Sequence, residues 1–186
     1  MNIINCDQLE RPLPDLNYKD ARRFMYNVEN NTVSVVVQAF GRLDKTSVCV
    51  ENILKNTPQD IELILLDNGT PNMEITDYYE TVKYRNKNII RFSKNITGVY
   101  AINSVMHLLK SKYIVWVNND VIVTPNWLEN MLICAESDES IGIVVASSTN
   151  VSNLQYESLG GFSSIEEMQD KAEKFNVSDP AKWEEK

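Results

Sequence analysis

Five short apolar runs alternate along the chain with segments whose apolar residues recur at helical spacing. The runs are rich in β-branched and aromatic residues, which is typical of strands, and they are short for helices. They occupy residues 32–37, 61–66, 88–92, 113–117 and 141–146. We predict a strand at each, and we predict that the strand at 113–117 is buried on both faces of a sheet.

Each of the first four runs is followed by a segment that predicts a helix. Asp44 is a candidate cap for the first helix, and a turn near Gly98 starts a helix that runs to about residue 109. Thr124 and Pro125 have the residue types expected at the N-cap and first position of the helix at 127–135. Alternating strands and helices predict an α/β fold with a doubly wound, mostly parallel sheet and helices on both faces.

One alternative concerns the segment after the second strand. Asn68 and Gly69 form the commonest hairpin dipeptide, which would make the next segment a paired strand. The residues that follow, 73–84, have apolar positions at helical rather than alternating spacing. We therefore predict a loop and a helix there.

The polarity and the apolar spacing of the sequence suggest three regions. Residues 1–31 are polar, with a ragged helical pattern at 15–29, and are interpreted as an appendage or linker. Residues 32–148 form the predicted α/β domain. Residues 149–186 combine a loop with an acidic helix. The helix is predicted to begin at Ser163 or Ser164, because residues 163–166 fit a capping box that Glu166 completes. One further helical turn is predicted to begin at Asp179.

Charge and cysteine content narrow the function classes. The formal net charge of −8 argues against extended binding to nucleic acid, which needs a basic face. The three cysteines have no metal-ligand spacing, and an odd count is a poor disulfide framework, so a cytoplasmic location is expected. No apolar run is long enough to cross a membrane.

Polar residues follow the strand at 113–117 directly. Asn118, Asn119 and Asp120 lie where an open α/β sheet binds ligands, just past the carboxyl end of a strand. A carboxylate and an amide oxygen could hold Mg²⁺ or Mn²⁺ together with substrate phosphates. The alternative is that the three residues only form a turn.

The other strand ends also carry candidate residues. Asp67 and Asn68 could hydrogen-bond a base or ribose, or they could form a turn. Phe40, in the loop after the first strand, could stack on a nucleobase or seal the core. Asn95, Gly98 and Asn103 belong to a loop and helix where a backbone could approach a phosphate or ribose. The single histidine, His107, has no nearby metal-ligand partner and is interpreted as structural.

Taken together, these segments resemble the nucleotide-sugar-binding half of the family 2 glycosyltransferases, which have the GT-A fold. Residues 33–42 resemble the family's V-S-V-V-x-x-(Y/F)-N-R pattern, with Gly41 where asparagine is usual. Residues 66–70 resemble V-D-D-G-S, and residues 95–103 approach N-x-x-G-x-x-x-A-x-N. Residues 118–125 resemble a D-x-D or D-D motif followed by a T/M-P helix start. The resemblance covers about 32–148.

The resemblance implies a donor site for a nucleotide-diphosphate sugar, with UDP as the expected nucleotide and Mn²⁺ or Mg²⁺ as cofactor. In such a site Phe40 would stack on the base, Asp67 and Asn68 would hold uracil or ribose, and Asp120 would carry the metal. The implied nucleotide-binding set is Gln38, Phe40, Arg42, Asp67, Asn68, Asn95, Gly98, Asn103 and Asn119, and the implied metal ligands are Asp120 and Asn118.

Two departures from the family pattern change the expectation. Amides stand at Asn68, Asn118 and Asn119, where the family has acids. Nothing after Ser148 resembles the E-D-x-D-like segment that carries the general base in the acceptor half, so a catalytic base is not assigned and the acceptor stays unknown. We therefore expect an incomplete transferase that binds a nucleotide and has little or no activity alone, with an unfinished sheet edge able to self-associate.

The residues after the first strand argue against two other functions. A sugar-nucleotide pyrophosphorylase needs a Gly-rich basic loop after the first strand, and a phosphoacceptor receiver domain needs an acidic pair there; residues 38–40 supply neither. A non-catalytic nucleotide-binding module derived from a transferase is the main alternative, because it would explain the lost acids and the missing base together.

Overall fold

The computed structural model describes residues 3–5, 30–106, 108–151 and 155–184. The chain divides into two compact units, one of Met1–Glu51 and Gln59–Val121 and the other of Asn52–Pro58 and Ile122–Lys186. The predicted helix at 15–29 and the structural role predicted for His107 lie outside the described residues. The division predicted at residue 148 stays a prediction.

The first unit contains a sheet of five strands, all of whose neighbouring pairs are parallel. Its spatial order is β1-β4-β3-β2-β5. Four of the five predicted strands are therefore confirmed, together with the α/β class. The remaining strand of the sheet, β1, lies in the polar region 1–31, where none was predicted. The strands are β1 (Ile3–Asn5), β2 (Asn30–Ala39), β3 (Ile61–Asp67), β4 (Lys87–Arg91) and β5 (Ser111–Asn118).

Helices follow the strands in the predicted alternation. A 3₁₀ turn (Pro71–Met73) and a helix follow β3, so the hairpin alternative at Asn68 and Gly69 is wrong. A second 3₁₀ turn (Pro180–Lys182) begins after Asp179, as predicted. The helices are α1 (Leu43–Asn56), α2 (Glu74–Thr81), α3 (Gly98–Met106), α4 (Trp127–Glu136) and α5 (Ile165–Phe175).

Both faces of the sheet's centre are buried. On one face, α3 packs Ala101, Ile102 and Val105 against apolar side chains of β2, β3 and β4. On the opposite face Val35, Val37, Leu63 and Leu65 have no exposed surface. Burial on both sides explains why β2 and β3 read as continuous apolar runs rather than alternating ones. The side chains of β2, β3 and β4 that pack against α3 are Val36, Ile64, Leu66 and Ile90.

The strand predicted at 141–146 is absent, and that prediction is wrong. These residues have no strand conformation, and no described strand pairs with them. Ile143 is 85% exposed and Val145 is 63% exposed. A run of β-branched residues favours extended backbone, but a strand also needs a hydrogen-bonded neighbour, and residue types alone do not specify one.

The burial predicted for the strand at 113–117 is also wrong, although the strand exists. β5 ends the spatial order of the sheet, and β2 is its one neighbour among the described strands. Trp116 is consequently 47% exposed. An apolar run therefore identifies this strand without indicating whether it is central or at an edge.

Two predicted helix starts are displaced. The N-cap of α4 is Asn126, and the helix begins at Trp127, so Thr124 and Pro125 lie in the preceding turn. Asp44 is the second residue of α1 rather than its cap, because the carbonyl of Arg42 accepts the first helical hydrogen bonds. The Asp44 carboxylate pairs with the Arg42 guanidinium, and that pairing replaces the predicted capping contact.

The second unit is organised by buried amides. Gln169 of α5 donates hydrogen bonds to the Asn52 side chain and to the Val123 carbonyl, both at 3.0 Å. Asn56 donates to the same carbonyl at 3.0 Å and to the Gln169 oxygen at 3.1 Å. Because buried amides are costly when unpaired, this closed network holds α5 in place. At the start of α5, Ser164 is the N-cap and accepts from the backbone of Glu167, one residue later than the predicted box.

Both cysteines among the described residues are free thiols. Cys49 is buried and Cys134 is half-buried. Cys6 lies outside the described residues. Within the described ranges, no helix has the length and apolar character needed to span a bilayer.

Candidate functional site

The sheet has a topological switch point between β2 and β5. The chain passes from β2 to β3 and β4 on one side and then returns to place β5 on the other side. The final registered pair of these two strands is Gln38 with Asn118. In open α/β sheets, ligands bind in the crevice beyond the carboxyl ends of strands at such a point. The predicted residues Gln38, Asn118, Asn119 and Asp120 lie there.

Asp67, at the end of β3, is held entirely by the protein. Its side chain has no exposed surface. One carboxylate oxygen accepts a hydrogen bond from the Thr70 backbone at 2.8 Å, and the other accepts from the Thr76 hydroxyl at 2.6 Å and pairs with Arg91. Arg91 also donates to the Thr70 carbonyl at 2.9 Å. Asp67 and its partner Arg91 therefore fix the turn after β3 together. This arrangement is the turn alternative raised for Asp67.

Asn68 connects two of the loops at this edge. Its oxygen accepts from the Ile96 backbone at 3.1 Å, and its nitrogen donates to the Asn95 side chain at 3.3 Å. The Asn95 oxygen also accepts from the backbone of Thr97 at 2.8 Å. Asn68 is only 2% exposed. The predicted residues Asn68 and Asn95 therefore lie together, and their hydrogen bonds shape the loop that leads into α3.

Gly69 and Gly98 bring backbones close together near that loop. A Cβ at Gly69 would lie 2.2 Å from the Lys94 carbonyl carbon, and its φ of +79° suits glycine. A Cβ at Gly98 would lie 3.1 Å from the Gln38 side-chain nitrogen. The Gln38 oxygen is buried and has no hydrogen-bond partner among the described residues. An unpaired buried acceptor at a ligand crevice is a candidate contact for a donor group of a ligand.

Two of the predicted residues have exposed side chains. Phe40 is 48% exposed, so it does not seal the core, and its ring is accessible to a ligand. Asn103 lies on the exposed side of α3, whereas Ala101, Ile102 and Val105 face the core. Among the described contacts, nothing brings Asn103 to the other predicted residues.

Asn119 holds the loop after β5 against the loop after β2. Its amide donates to the Gly41 carbonyl at 3.3 Å and to the Thr46 hydroxyl at 2.8 Å. Thr46 is fully buried and donates in turn to the Arg42 carbonyl at 2.9 Å. The backbone of Gly41 donates to the Thr70 hydroxyl at 2.9 Å, which connects this pair of loops to the turn after β3.

Asp120 and Asn118 have exposed side chains at the same edge. The Arg42 guanidinium also lies there, and its pKa is raised, first by its hydrogen bond and attraction to Asp44 and further by attraction to Asp120. Within the described residues there is no cluster of three or more acidic, histidine or cysteine side chains for a metal ion. One carboxylate with an amide oxygen still fits Mg²⁺ or Mn²⁺, which keep several waters and bind substrate phosphates.

Sequence reasoning missed the residues that build this edge. Thr70 follows Asp67 at the spacing of a turn, and Arg91 ends the neighbouring strand, so both carried a positional signal. Thr46 and Thr76 carried none, because their hydroxyl contacts depend on how loops distant in the sequence meet.

Comparisons with known proteins agree with this fold. A family model for Glycosyl transferase family 2 matches residues 34–181. Glycosyltransferase GlyG of Streptococcus pneumoniae serotype 4 is 34% identical over 102 residues, which is 53% of this chain and 33% of that protein. An uncharacterized glycosyltransferase of Haemophilus influenzae is 23% identical over 110 residues, covering 59% of this chain and 34% of that protein. The chain therefore spans about a third of the length of these relatives.

A solved structure supports the fold. The mannosyltransferase PcManGT from Pyrobaculum calidifontis, in complex with GDP-Man and Mn²⁺, matches with a TM-score of 0.54 at 14% identity. The match covers 67% of this chain and 40% of that chain. The family match extends over most of the sequence and includes the strand ends described above. The chain thus belongs to glycosyl transferase family 2, as its motifs predicted.

Proposed function

We propose that this chain binds a nucleotide-diphosphate sugar at the carboxyl ends of β2, β3 and β5, as the donor-binding part of a glycosyltransferase. The observation that carries the proposal is the switch point, where the registered pair Gln38 and Asn118 adjoins the exposed carboxylate of Asp120. The solved mannosyltransferase binds GDP-Man with Mn²⁺, which supports a nucleotide-sugar donor for the fold. UDP is the nucleotide that the family resemblance implies.

The residues have distinct roles in this proposal. Phe40 offers an exposed ring for stacking on a base, and Gln38 offers an unpaired oxygen to a donor group. Asp120 and Asn118 would hold Mg²⁺ or Mn²⁺, which when bound would stabilise charge on the departing diphosphate. Asp67, Asn68 and Asn119 act mainly by fixing the three loops through their hydrogen bonds.

The transfer reaction itself needs a further group. A carboxylate must take the proton of the acceptor hydroxyl as the new bond forms. No residue of this chain is assigned that role, and the acceptor stays unspecified. A non-catalytic nucleotide-binding module is the second candidate, favoured by one observation: both oxygens of Asp67 are committed to the protein.

Two further expectations belong to this proposal. The edge strand β5, with Trp116 half-exposed, supports self-association through strand pairing. A molecular mass that stays monomeric by light scattering across the concentration range would exclude self-association.

The free thiols of Cys49 and Cys134 support a cytoplasmic location.

A thermal-shift experiment tests the donor site directly. UDP, GDP and TDP are each added with Mn²⁺ or with EDTA to the wild type, to Asp120→Asn and to Asp60→Asn. Asp60 is a matched control, because it is an exposed carboxylate at the amino end of β3, away from the proposed site. A nucleotide at about a hundred times its Kd should raise Tm by roughly 5–11 °C.

The pattern across the variants decides the outcome. The proposal expects a metal-dependent shift for one nucleotide that Asp120→Asn loses and Asp60→Asn keeps. If no nucleotide shifts the wild type, donor binding by this chain is wrong. Sugar transfer from that nucleotide's sugar conjugate by the full-length protein supports the enzyme, whereas binding without transfer in that protein supports the non-catalytic module.

A further inference from the structure

Arg42 occupies a fixed position at the start of α1, beside the proposed donor site. Its carbonyl accepts hydrogen bonds from the backbone of Lys45 at 3.0 Å and from the backbone and hydroxyl of Thr46, both at 2.9 Å. The Thr46 hydroxyl also accepts from Asn119, the residue before Asp120. Arg42 and Asp120 therefore flank one hydrogen-bonded junction.

The backbone conformation of this loop is unusual. Gly41 has a φ of +64° and Arg42 has a φ of +57°, which is uncommon for a residue with a side chain. Such conformations cost free energy, and they are retained when the surrounding contacts determine them. The contacts of Thr46 and Asn119 provide that determination and keep the Arg42 side chain at this edge.

The guanidinium is oriented by one carboxylate. Its Nε and Nη2 atoms each donate to an oxygen of Asp44 at 3.1 Å, which forms a two-point pair. This pair uses two of the five N–H groups of arginine. The Arg42 side chain remains 64% exposed. A guanidinium held by one edge can still present its other edge to a phosphate.

The negative charges at the proposed donor site exceed the positive charge of one divalent ion. A nucleotide-sugar donor carries a negative charge on each phosphate, and the departing nucleoside diphosphate gains another. A divalent ion would offset the two phosphate charges of the donor, but Asp120 adds a negative charge of its own at the site. Thr46 joins the Arg42 backbone to Asn119, the residue before Asp120, so the Arg42 guanidinium is positioned to compensate part of this charge.

Stability does not explain the Arg42–Asp44 pair. Both side chains are mostly exposed, and exposed ion pairs contribute little to folding because water and salt screen them. A substitution at Arg42 should therefore leave the fold intact. Arg85 and Asp60 form a comparable exposed pair at 3.4 Å and provide a matched control.

We propose that Arg42, oriented by Asp44, binds the diphosphate of the nucleotide, so that this site retains a component of affinity that needs no metal ion. This inference rests on the proposed donor site. The family resemblance places Arg42 among the nucleotide-binding residues without a ligand group, and this inference assigns it the diphosphate and a contribution that does not depend on the metal ion.

The test measures Kd by calorimetry for the nucleoside diphosphate that shifts the wild type, once in Mn²⁺ and once in EDTA. Wild type is compared with Arg42→Gln, Arg42→Lys and the control Arg85→Gln. Charge-assisted hydrogen bonds are strong, so Arg42→Gln should weaken binding about tenfold or more in both conditions. Arg42→Lys keeps the charge but lacks the planar guanidinium, so its affinity should lie between those of the wild type and Arg42→Gln. Arg85→Gln should bind as the wild type does.

The outcomes separate this inference from the proposed function. If Arg42→Gln binds as well as the wild type in Mn²⁺, or if the wild type binds in Mn²⁺ but not in EDTA, the donor site stands and this role of Arg42 is wrong. If the wild type binds no nucleotide in either condition, the donor site and this inference both fall. Tm without nucleotide serves as the folding check, and Arg42→Lys keeps the test valid if Arg42→Gln unfolds.

Discussion

The side-chain amide of Asn119 donates a hydrogen bond of 2.8 Å to the hydroxyl of Thr46, a fully buried residue of α1. The same amide donates to the Gly41 carbonyl at 3.3 Å. Family 2 resemblance would give position 119 to a ligand-binding acid, but here its amide joins two loops. The geometry of the crevice therefore depends on Asn119 even before a ligand binds.

Asn119→Ala should destabilise the protein. The substitution removes two hydrogen bonds at a buried hydroxyl and a carbonyl, at a cost of about 1–3 kcal/mol. For a domain of this size that lowers Tm by about 2–4 °C per kcal/mol. Asn118→Ala is the control, because the Asn118 side chain is exposed and its removal should leave Tm nearly unchanged. Equal Tm values for the two variants would contradict the structural role of Asn119.

Asp67→Asn should be among the most destabilising single substitutions. Asp67 has no exposed surface, and Arg91, its ion-pair partner, has a side chain that is only 17% exposed. Removing one charge of a buried pair leaves the other uncompensated, which costs about 3–5 kcal/mol. Urea unfolding monitored by circular dichroism measures the loss. In the exposed pair of Arg85 and Asp60, Asp60→Asn should cost about 0–1 kcal/mol, and a similar loss in both variants would refute the argument.

Gly69→Ala should disrupt the turn after β3. An added Cβ would lie 2.2 Å from the Lys94 carbonyl carbon and 2.6 Å from the Asn95 nitrogen, and these are backbone atoms that cannot rotate away. The φ of +79° adds a strain of about 1–2 kcal/mol for any side chain. Gly142→Ala meets no atom within 4 Å and is the control. Differential scanning calorimetry should show a Tm lowered by several degrees for the first variant only.

Gln38→Leu should separate stability from binding. The Gln38 oxygen is buried without a partner, so replacing it with an apolar group should raise stability by about 1 kcal/mol. If Gln38 contacts the nucleotide, the same change should weaken binding. Gln59 has the same unpaired buried oxygen at the other end of the sheet. Gln59→Leu should therefore stabilise the protein without changing nucleotide affinity, and a parallel loss of affinity in both variants would argue against a contact at Gln38.

Stability at alkaline pH should depend on Cys49. Burial raises the pKa of this thiol from 9.0 to about 12. Between these values the unfolded chain loses the proton while the folded chain keeps it, so stability is fully present below pH 9 and falls as pH rises, by about 1.4 kcal/mol per pH unit. Cys49→Ala removes this contribution. Its free energy of unfolding should fall less steeply than that of the wild type between pH 9 and 11, when both are measured by urea titration.

Thiol chemistry gives an independent check of the same burial. Cys49 is 1% exposed, whereas Cys134 is half-buried, so iodoacetamide at pH 8.5 should label Cys134 first. Peptide mapping by mass spectrometry distinguishes the two sites. Faster labelling of Cys49 in the folded protein would show that its thiol is accessible.

The fold was predictable where the apolar pattern reflects burial. β2 and β3 are buried on both faces, and their continuous runs identify them. The runs at 113–117 and 141–146 are also apolar and contain several β-branched residues, yet the first is an edge strand and the second is no strand. Their difference depends on which neighbours they meet, and a local pattern does not contain that information.

The site was predictable in position and less so in role. Polar residues at strand ends indicated the correct edge of the sheet, and Gln38, Asn118 and Asp120 lie there. The pairing of Asp67 with Arg91 depends on β3 and β4 lying side by side with Asp67 and Arg91 in register. Such a relationship appears only once the strand order is known.

The parallel sheet also has a consequence for synthesis. Gly41 and Asn119, which meet at the crevice, are 78 residues apart. At about 5–20 residues per second, Asn119 leaves the ribosome roughly 4–16 s after Gly41. Through that interval β2 can pair with β3 on one side, while its other side waits for β5. The crevice is thus completed only after β5 is synthesised, and nascent chains that have not yet exposed β5 present an open β2 edge to chaperones.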